Sequence, residues 1–406
     1  MGAVQVSAMA NASDMIAQAA TLGGVLRIFQ VSGNLQSPAP LPQFPTDGLV
    51  PWQPPLLGGA NGTLLGFSAV CYIMGAALVT EHLGGVGAPV GLLHSSHGGT
   101  SVQAWQSPAG ANNCGDNSNS WNSSVLYNSN VHPLTVGPLA LSGVYWYQGE
   151  QDVGIGAAEG AWRAQWYGCS LQALIVDWRA RFGDPALLFV VQQLHAWLHT
   201  LDIGLATFRQ AQLKALLLPR VALSTAFDGG DPAAAMAGSP GGTVHSHLKF
   251  IPGRRAALAL AGALYGLPVA FRNPGYGGAV ASSASNATHT ALTVRVALAP
   301  GTEPAGGLVL RGWEPASNSS HCPTERAVNA SACAWFAIQT NDDAGTWHNA
   351  SVAVAEGGLG VVLSAVAPGR GLAAVATRNG FGDWPVVTVY SRDGLPLMTW
   401  SRPLNE

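Results

Sequence analysis

The sequence predicts an α/β protein built on a parallel sheet, followed by an antiparallel β domain. Three observations predict it. Short apolar, β-rich runs alternate with helix-patterned stretches up to about residue 267. Most of those runs end in a polar or Gly-rich loop, as in a parallel sheet whose ligand site lies at the carboxyl ends of its strands. Beyond Pro268 only short β-branched runs separated by turn residues remain. At 406 residues the chain is long enough for more than one core, and the expected domains are 1–267 and 268–406.

The elements follow in chain order. Leu26 to Val31 reads as a strand, and residues 35–60, rich in Pro and Gly, read as an irregular surface excursion. Leu64 to Val79 is the most apolar run, but Ser68 interrupts it and it falls short of the ~20 residues a membrane span needs. It reads as a buried helix, and no membrane span is expected. Val90 to Leu93, Gly143 to Tyr147, Phe189 to Leu194 and Val221 to Phe227 read as strands. Leu171, Leu174, Ile175, Trp178 and Phe182 recur at spacings of three and four, which makes 161–183 an amphipathic helix stopped by Gly183. Arg254 to Tyr265 reads as the closing helix. After it come the runs Leu292 to Leu298, Gly307 to Leu310, Val352 to Val354, Gly360 to Val366, Ala373 to Thr377 and Val386 to Tyr390.

Charged residues make up 10% of the chain against about 25% in ordinary globular proteins, and the net charge is −3. No basic field capable of holding nucleic acid exists in such a chain. The cysteines, Cys71, Cys114, Cys169, Cys322 and Cys333, follow no metal-ligand spacing. Cys322 and Cys333 flank a short loop, where a local disulfide and an unbridged pair are both open. Asn-x-Ser/Thr sequons begin at Asn11, Asn61, Asn122, Asn286, Asn318, Asn329 and Asn349, which points to a secreted, lysosomal or otherwise lumenal protein. Met1-Gly-Ala-Val-Gln has neither the basic region nor the apolar core of a signal peptide. Either an export signal stood on an upstream segment, or the protein is not exported.

Three segments carry chemistry. His94-Ser95-Ser96-His97-Gly98-Gly99-Thr100 follows a strand, and its paired glycines let the backbone turn tightly and offer N–H groups to an oxyanion. Trp146-Tyr147-Gln148-Gly149-Glu150 is a second strand end: the Gln148 amide can donate to a developing oxyanion, Gly149 permits close approach, and Glu150 can brace the loop. Asp228-Gly229-Gly230-Asp231 precedes Val244-His245-Ser246-His247, giving a His just before the closing helix with acids a loop away, the chain order of a pair that activates a Ser. His245 and His247 alone lack the third ligand that a zinc site requires. Neither a metal nor an organic cofactor is expected.

Together these segments resemble the sialate O-acetylesterase family of SGNH-type hydrolases. Ser95 to Thr100 with Ala104-Trp105 is similar to the family's Ser-Ser-Trp-Gly-Gly-Thr…Ala-Trp block, Trp146 to Glu150 matches Trp-Tyr-Gln-Gly-Glu, and Val244-His245…Lys249 resembles Ile-His-Pro-x-x-Lys. Further similarities lie at Phe67 to Tyr72, Leu126-Tyr127-Asn128, His132-Pro133-Leu134, Asp177-Trp178-Arg179, Asp383-Trp384-Pro385 and Asp393 to Pro396. The resemblance implies a three-layer α/β/α parallel sheet with an appended β domain. It also implies hydrolysis of acetyl esters on sugar hydroxyls through an acetyl-serine, with an O-acetylated sugar or glycan as substrate. His245 takes the place of the general base. The orienting acid passes to Asp231, with Asp228 second, because Gly242 stands where many relatives have an Asp. Gly98, Gly99 and Thr100, with Gln148, Gly149 and Glu150, take the oxyanion-hole and substrate loops.

Four departures accompany the resemblance. His97 stands where the family has Trp, Gln151-Asp152 replaces Ser-Asn, and Ser246 replaces Pro, which is expected to loosen the loop holding the base. Asp152 is shared with related acetylxylan esterases and suggests acetylated xylan as an alternative substrate. The fourth departure is at the start: Met1 takes the place of the Met in the family's Gly-Gln-Ser-Asn-Met motif. The nucleophilic Ser is then expected two positions before Met1, with the first strand of the sheet before it. A chain beginning at Met1 would be a pocket that binds acetylated glycan without cleaving it. The Ala- and Gly-rich insertion between Asp231 and His245 is expected to be an exposed loop.

Overall fold

The computed structural model describes residues 4–9, 11–31, 35–55, 64–84, 89–111, 114, 123–137, 139–154, 156–197, 204–231, 242–311 and 333–404. The insertion ahead of His245, Cys322, and the sequons at Asn61, Asn122, Asn318 and Asn329 lie outside the described residues. The chain divides into two compact units. The first comprises 1–195, 207–226 and 233–269, and the second comprises 196–206, 227–232 and 270–406.

The first unit is the α/β part. Its elements are α1 (Ala12–Leu22), β1 (Leu26–Gln30), β2 (Val50–Gln53), α2 (Ala69–Ala77), β3 (Val90–His94), the single turn α3 (His132–Thr135), β4 (Gly143–Trp146), α4 (Gly156–Phe182), β5 (Leu188–Gln193), α5 (Leu205–Gln212), β6 (Val221–Thr225) and α6 (Phe250–Ala263). α5 begins at the border of the two units. The strands form two three-stranded sheets, β2-β1-β3 and β4-β5-β6. β1 runs parallel to β3 from Leu26 opposite Val90 to Gln30 opposite His94, and β4, β5 and β6 are parallel throughout. β2 is an addition to the sequence reading: four residues of the Pro- and Gly-rich excursion pair antiparallel to β1.

The helices form for the reasons their patterns give. α2 starts at Ser68, whose Oγ accepts from the Cys71 N–H at 3.4 Å, and nearly every residue of the helix is buried. Burial pushes the Cys71 thiol up to about 12, so it behaves as a small apolar group. α4 places Leu171, Leu174, Ile175 and Trp178 on its buried stripe and stops before Gly183. β5 is buried along its whole length, as a strand covered on both faces must be. Among the described residues no helix is long and apolar enough to cross a membrane.

Among the described residues a disulfide joins Cys114 to Cys169, which ties the segment after β3 to the middle of α4. Its partners are 55 residues apart, a pairing that spacing alone does not reveal.

The second unit is antiparallel in its main sheets. β13 (Ser351–Val354), β14 (Gly360–Pro368), β8 (His289–Leu298) and β7 (Tyr276–Ser285) form one four-stranded sheet; β12 (Trp347–Asn349), β11 (Ala337–Thr340), β15 (Ala374–Asn379) and β18 (Trp400–Pro403) form another. β9 (Leu308–Leu310) pairs with β17 (Val389–Ser391), and a short parallel bridge joins β10 (Cys333–Ala334) to β16 (Trp384–Pro385). The inward residues Leu292, Val294, Val296, Phe336, Ile338, Leu363 and Trp400 make its core, and β8 alternates buried and exposed positions as a half-covered strand does.

Candidate active site

The first two predicted segments meet at the carboxyl ends of β3 and β4. Beyond β3 the chain turns at Gly98 and Gly99, both exposed, with Gly99 at φ +70°, where a side chain would be strained. The Thr100 hydroxyl closes this turn by donating to the His97 carbonyl at 2.8 Å and accepts from the Trp105 indole at 3.1 Å. Among the described residues, the backbone N–H groups of Gly98, Gly99 and Thr100 donate to no protein acceptor.

Gln148 joins the two loops. Its Nε2 donates to the Thr100 carbonyl at 2.9 Å and to Asp152 Oδ2 at 2.7 Å, while the Tyr167 hydroxyl lies 2.9 Å from its carbonyl and 3.1 Å from its Oε1. Both amide hydrogens are therefore spent within the protein. Gln148 ties the glycine turn in place, and the backbone N–H groups of that turn are left as unspent donors. Gly149 sits at φ +145°, and a Cβ there would come within 2.7 Å of the Phe208 ring, so only glycine fits.

Asp152, rather than Glu150, does the bracing. Its buried carboxylate accepts from the Val102 N–H at 2.9 Å as well as from Gln148, while buried Glu150 Oε1 has no hydrogen-bond partner among the described residues. Burial pushes the Asp152 carboxyl up to about 6, against the opposing pull of its Gln148 and Val102 hydrogen bonds. The sequence showed Asp152 only as a departure from a motif. Its role depends on reaching Val102, 50 residues away, which no local pattern displays.

His97 packs in the glycine loop with its buried Nδ1 lacking a partner among the described residues, as does the buried Ser95 Oγ. His94 Nε2 lies 2.8 Å from Ser96 Oγ, and the His94 ring meets Phe67 edge-on. Such a concentration of unspent polar atoms on two adjoining loops is what a site for a polar ligand requires.

His245 ends a short 3₁₀ turn, Gly242–His245, ahead of α6. The Ser246 substitution does not leave this turn loose: buried Ser246 Oγ accepts from the Leu248 N–H at 3.1 Å, and the Lys249 N–H donates to the His247 carbonyl at 2.8 Å. Lys249 is buried with its ammonium 5.7 Å from the centre of the Tyr147 ring, which anchors the His245 segment beside the end of β4. The Tyr147 hydroxyl lies 3.2 Å from Nδ1 of buried His195. Burial, and then the Glu150 charge, hold the Tyr147 phenol well above its ordinary range.

Asp228 and Asp231 fall in the second unit, both buried, and Asp228 Oδ2 accepts from the Tyr390 hydroxyl at 3.2 Å. In the same unit Asp383 accepts from the backbone N–H of Leu205 and of Trp197. Asp177-Trp178-Arg179 is a structural motif. Asp177 takes the Ser107 N–H and hydroxyl, the Trp178 indole donates to the Trp105 carbonyl, and Arg179 staples the carbonyls of Leu187, Pro219 and Arg220.

A family profile described as "Carbohydrate esterase, sialic acid-specific acetylesterase" matches residues 71–233, which hold both loops and the two acids. Over these residues the chain is similar to that family. Human sialate O-acetylesterase is 36% identical over 125 residues, covering 28% of this chain and 21% of its own, and the mouse enzyme is 30% identical over 214 residues, covering 44% and 37%. The chain thus spans between a fifth and two fifths of the length of these curated relatives. A crystal structure titled as a carbohydrate acetylesterase from Xanthomonas citri superposes with a TM-score of 0.70 at 25% identity, covering 98% of this chain and 78% of that one. Both units have their counterpart in that fold, since little of the chain is left out.

Proposed function

We propose that the protein is a carbohydrate O-acetylesterase that removes acetyl groups from sugar hydroxyls, with 9-O-acetylated sialic acid as substrate. The observation that carries the reading is the welded pair of loops. Gln148 and Asp152 fix the Gly98–Thr100 turn, whose unspent backbone N–H groups are the donors an acetyl carbonyl needs as negative charge develops on its oxygen.

In this reading His245 takes the proton from a serine hydroxyl as it attacks the acetyl carbonyl, and returns it to the departing sugar oxygen. Asp231, with Asp228 second, keeps the imidazole in the tautomer that accepts that proton. Water then hydrolyses the acetyl-serine by the same steps in reverse order. The serine is the one of the family's Gly-Gln-Ser-Asn-Met block. The names of the curated relatives support a sialate substrate. A lumenal or secreted setting is supported by exposed sequon asparagines, Asn11, Asn286 and Asn349, and by the Cys114–Cys169 bridge.

The test measures acetate release from 9-O-acetylated sialic acid and from acetylated xylan, using the chain as it stands and the chain preceded by Gly-Gln-Ser-Asn. Turnover should rise by a factor of order 10³ on adding the serine, because covalent catalysis divides one acyl transfer into two easier steps. The sialate should be the faster substrate. Equal rates for the two proteins would refute the serine assignment, faster xylan would replace the substrate, and binding without turnover in either protein would leave a non-catalytic glycan-binding pocket.

A further inference from the structure

A cavity lies away from the two loops. It has a volume of about 420 Å³, within the range of small-molecule sites, and is lined by Pro40, Pro108, Ala109, Tyr127, His132 and Arg181 among others, all from the first unit. Its position follows from the topology. α4 starts just after the Gln148–Asp152 loop and runs for 27 residues, about 40 Å, toward the amino end of β5. Arg181 is in its last turn, and His132 belongs to the turn that precedes β4. The cavity is therefore at the amino ends of the strands and the catalytic loops are at the carboxyl ends.

Its polar groups are built and oriented. Asp177 is buried and takes the Ser107 N–H at 2.8 Å, the Ser107 hydroxyl at 2.7 Å and Arg181 Nε at 3.2 Å. This contact pins the guanidinium by its Nε and leaves both terminal nitrogens without a protein acceptor among the described residues. The His132 Nδ1 donates to the Leu41 carbonyl at 2.9 Å, which fixes the tautomer and leaves Nε2 as an acceptor. The His132 ring meets the buried Tyr127 ring edge-on at 6.1 Å. Pro40, Pro108 and Ala109 supply the apolar surface.

A planar fork of N–H donors recognises a carboxylate with two parallel bonds, and a neutral imidazole nitrogen accepts from a hydroxyl. Apolar walls interrupted by a few fixed polar groups suit the faces of a sugar ring. We propose that this cavity is a second sugar-binding site that takes a monosaccharide bearing a carboxylate, with Arg181 on the carboxylate and His132 on a ring or side-chain hydroxyl. Its occupant is bound there and not hydrolysed. The site goes beyond the esterase reading, and binding tests it without any turnover.

The experiment is titration calorimetry on the chain as it stands, with N-acetylneuraminic acid and glucuronic acid as probes and glucose as the uncharged control. Saturable binding of at least one acid is expected, with none of glucose. Arg181→Met should weaken it about tenfold or more, since a charge-assisted bidentate contact is lost. Arg181→Lys should also weaken it, because the charge stays but the fork goes. Ala109→Trp, on the exposed rim, should block the cavity without touching the core, which keeps the test alive if the arginine variants fold poorly. Gln148→Ala should retain the affinity. Binding of glucose as tight as the acids, no binding of either acid, or loss in Gln148→Ala with none in Arg181→Met would overturn the proposal. None of these results bears on acetate release, so the two readings fail separately.

Discussion

Replacing Asp152 separates what its shape contributes from what its charge costs. The carboxylate is buried and accepts from Val102 N at 2.9 Å and Gln148 Nε2 at 2.7 Å through the same oxygen. Asp152→Ala strands two buried donors at about 1–3 kcal/mol each, so a loss of about 2–6 kcal/mol is expected. Asp152→Asn keeps an oxygen where both donors point and removes the charge. Because burial raises the folded carboxyl from 3.8 to about 6, ionising it works against the fold by about 3 kcal/mol. The contribution of the protonated group is complete below about pH 4 and is lost as pH rises through about 6. The Asn variant should gain on the parent by about 3 kcal/mol between these limits. Urea unfolding of both proteins at intervals from pH 4 to 8 reads this directly, since every other carboxylate cancels in the difference. A constant gap across the range would refute both the burial argument and the assignment of Asp152 as the charged brace.

Three further outcomes are expected. Gly149→Ala should destabilise by about 1–3 kcal/mol or more, measured by thermal melting, because it adds a strained positive φ to an overlap with Phe208. Cys114→Ser should lower stability by about 2–4 kcal/mol under oxidising conditions and have no effect under reducing ones, as a bridge closing a long loop does. In the protein extended by Gly-Gln-Ser-Asn, His245→Ala should cost several orders of magnitude in kcat and His247→Ala little; equal losses would undo the assignment of the base.

The sequence carried the elements whose pattern is repeated and local. α4 follows its three- and four-residue spacing to Gly183, and β3, β5 and β6 lie within a residue or two of their apolar runs. β2 and β7 escaped it for one reason. Val50–Gln53 includes Pro51, and Tyr276–Ser285 is mostly Gly, Ala and Ser, so both are strands by pairing rather than by propensity. Within the site, the loops were legible as glycine-bearing strand ends. What was not legible was the direction of their hydrogen bonds. Gln148 reads as an oxyanion donor until Thr100 and Asp152 are seen to use both its N–H groups, and Ser246 reads as a loosening until its hydroxyl is found on Leu248. Contacts between residues 48 or 50 positions apart leave no mark on a local pattern.

The central claim is acyl transfer through a serine served by His245 and the Gly98–Thr100 turn, and the most direct measurement is the mass of the intact protein quenched during turnover. The extended chain, mixed with an excess of an activated acetyl ester, should carry one acetyl group, located by peptide mapping on the serine of Gly-Gln-Ser-Asn. His245→Ala should abolish it. An acetyl group on a serine between Met1 and Glu406, Ser96 beside His94 first among them, would contradict the account, and so would turnover with no acetyl-protein at all.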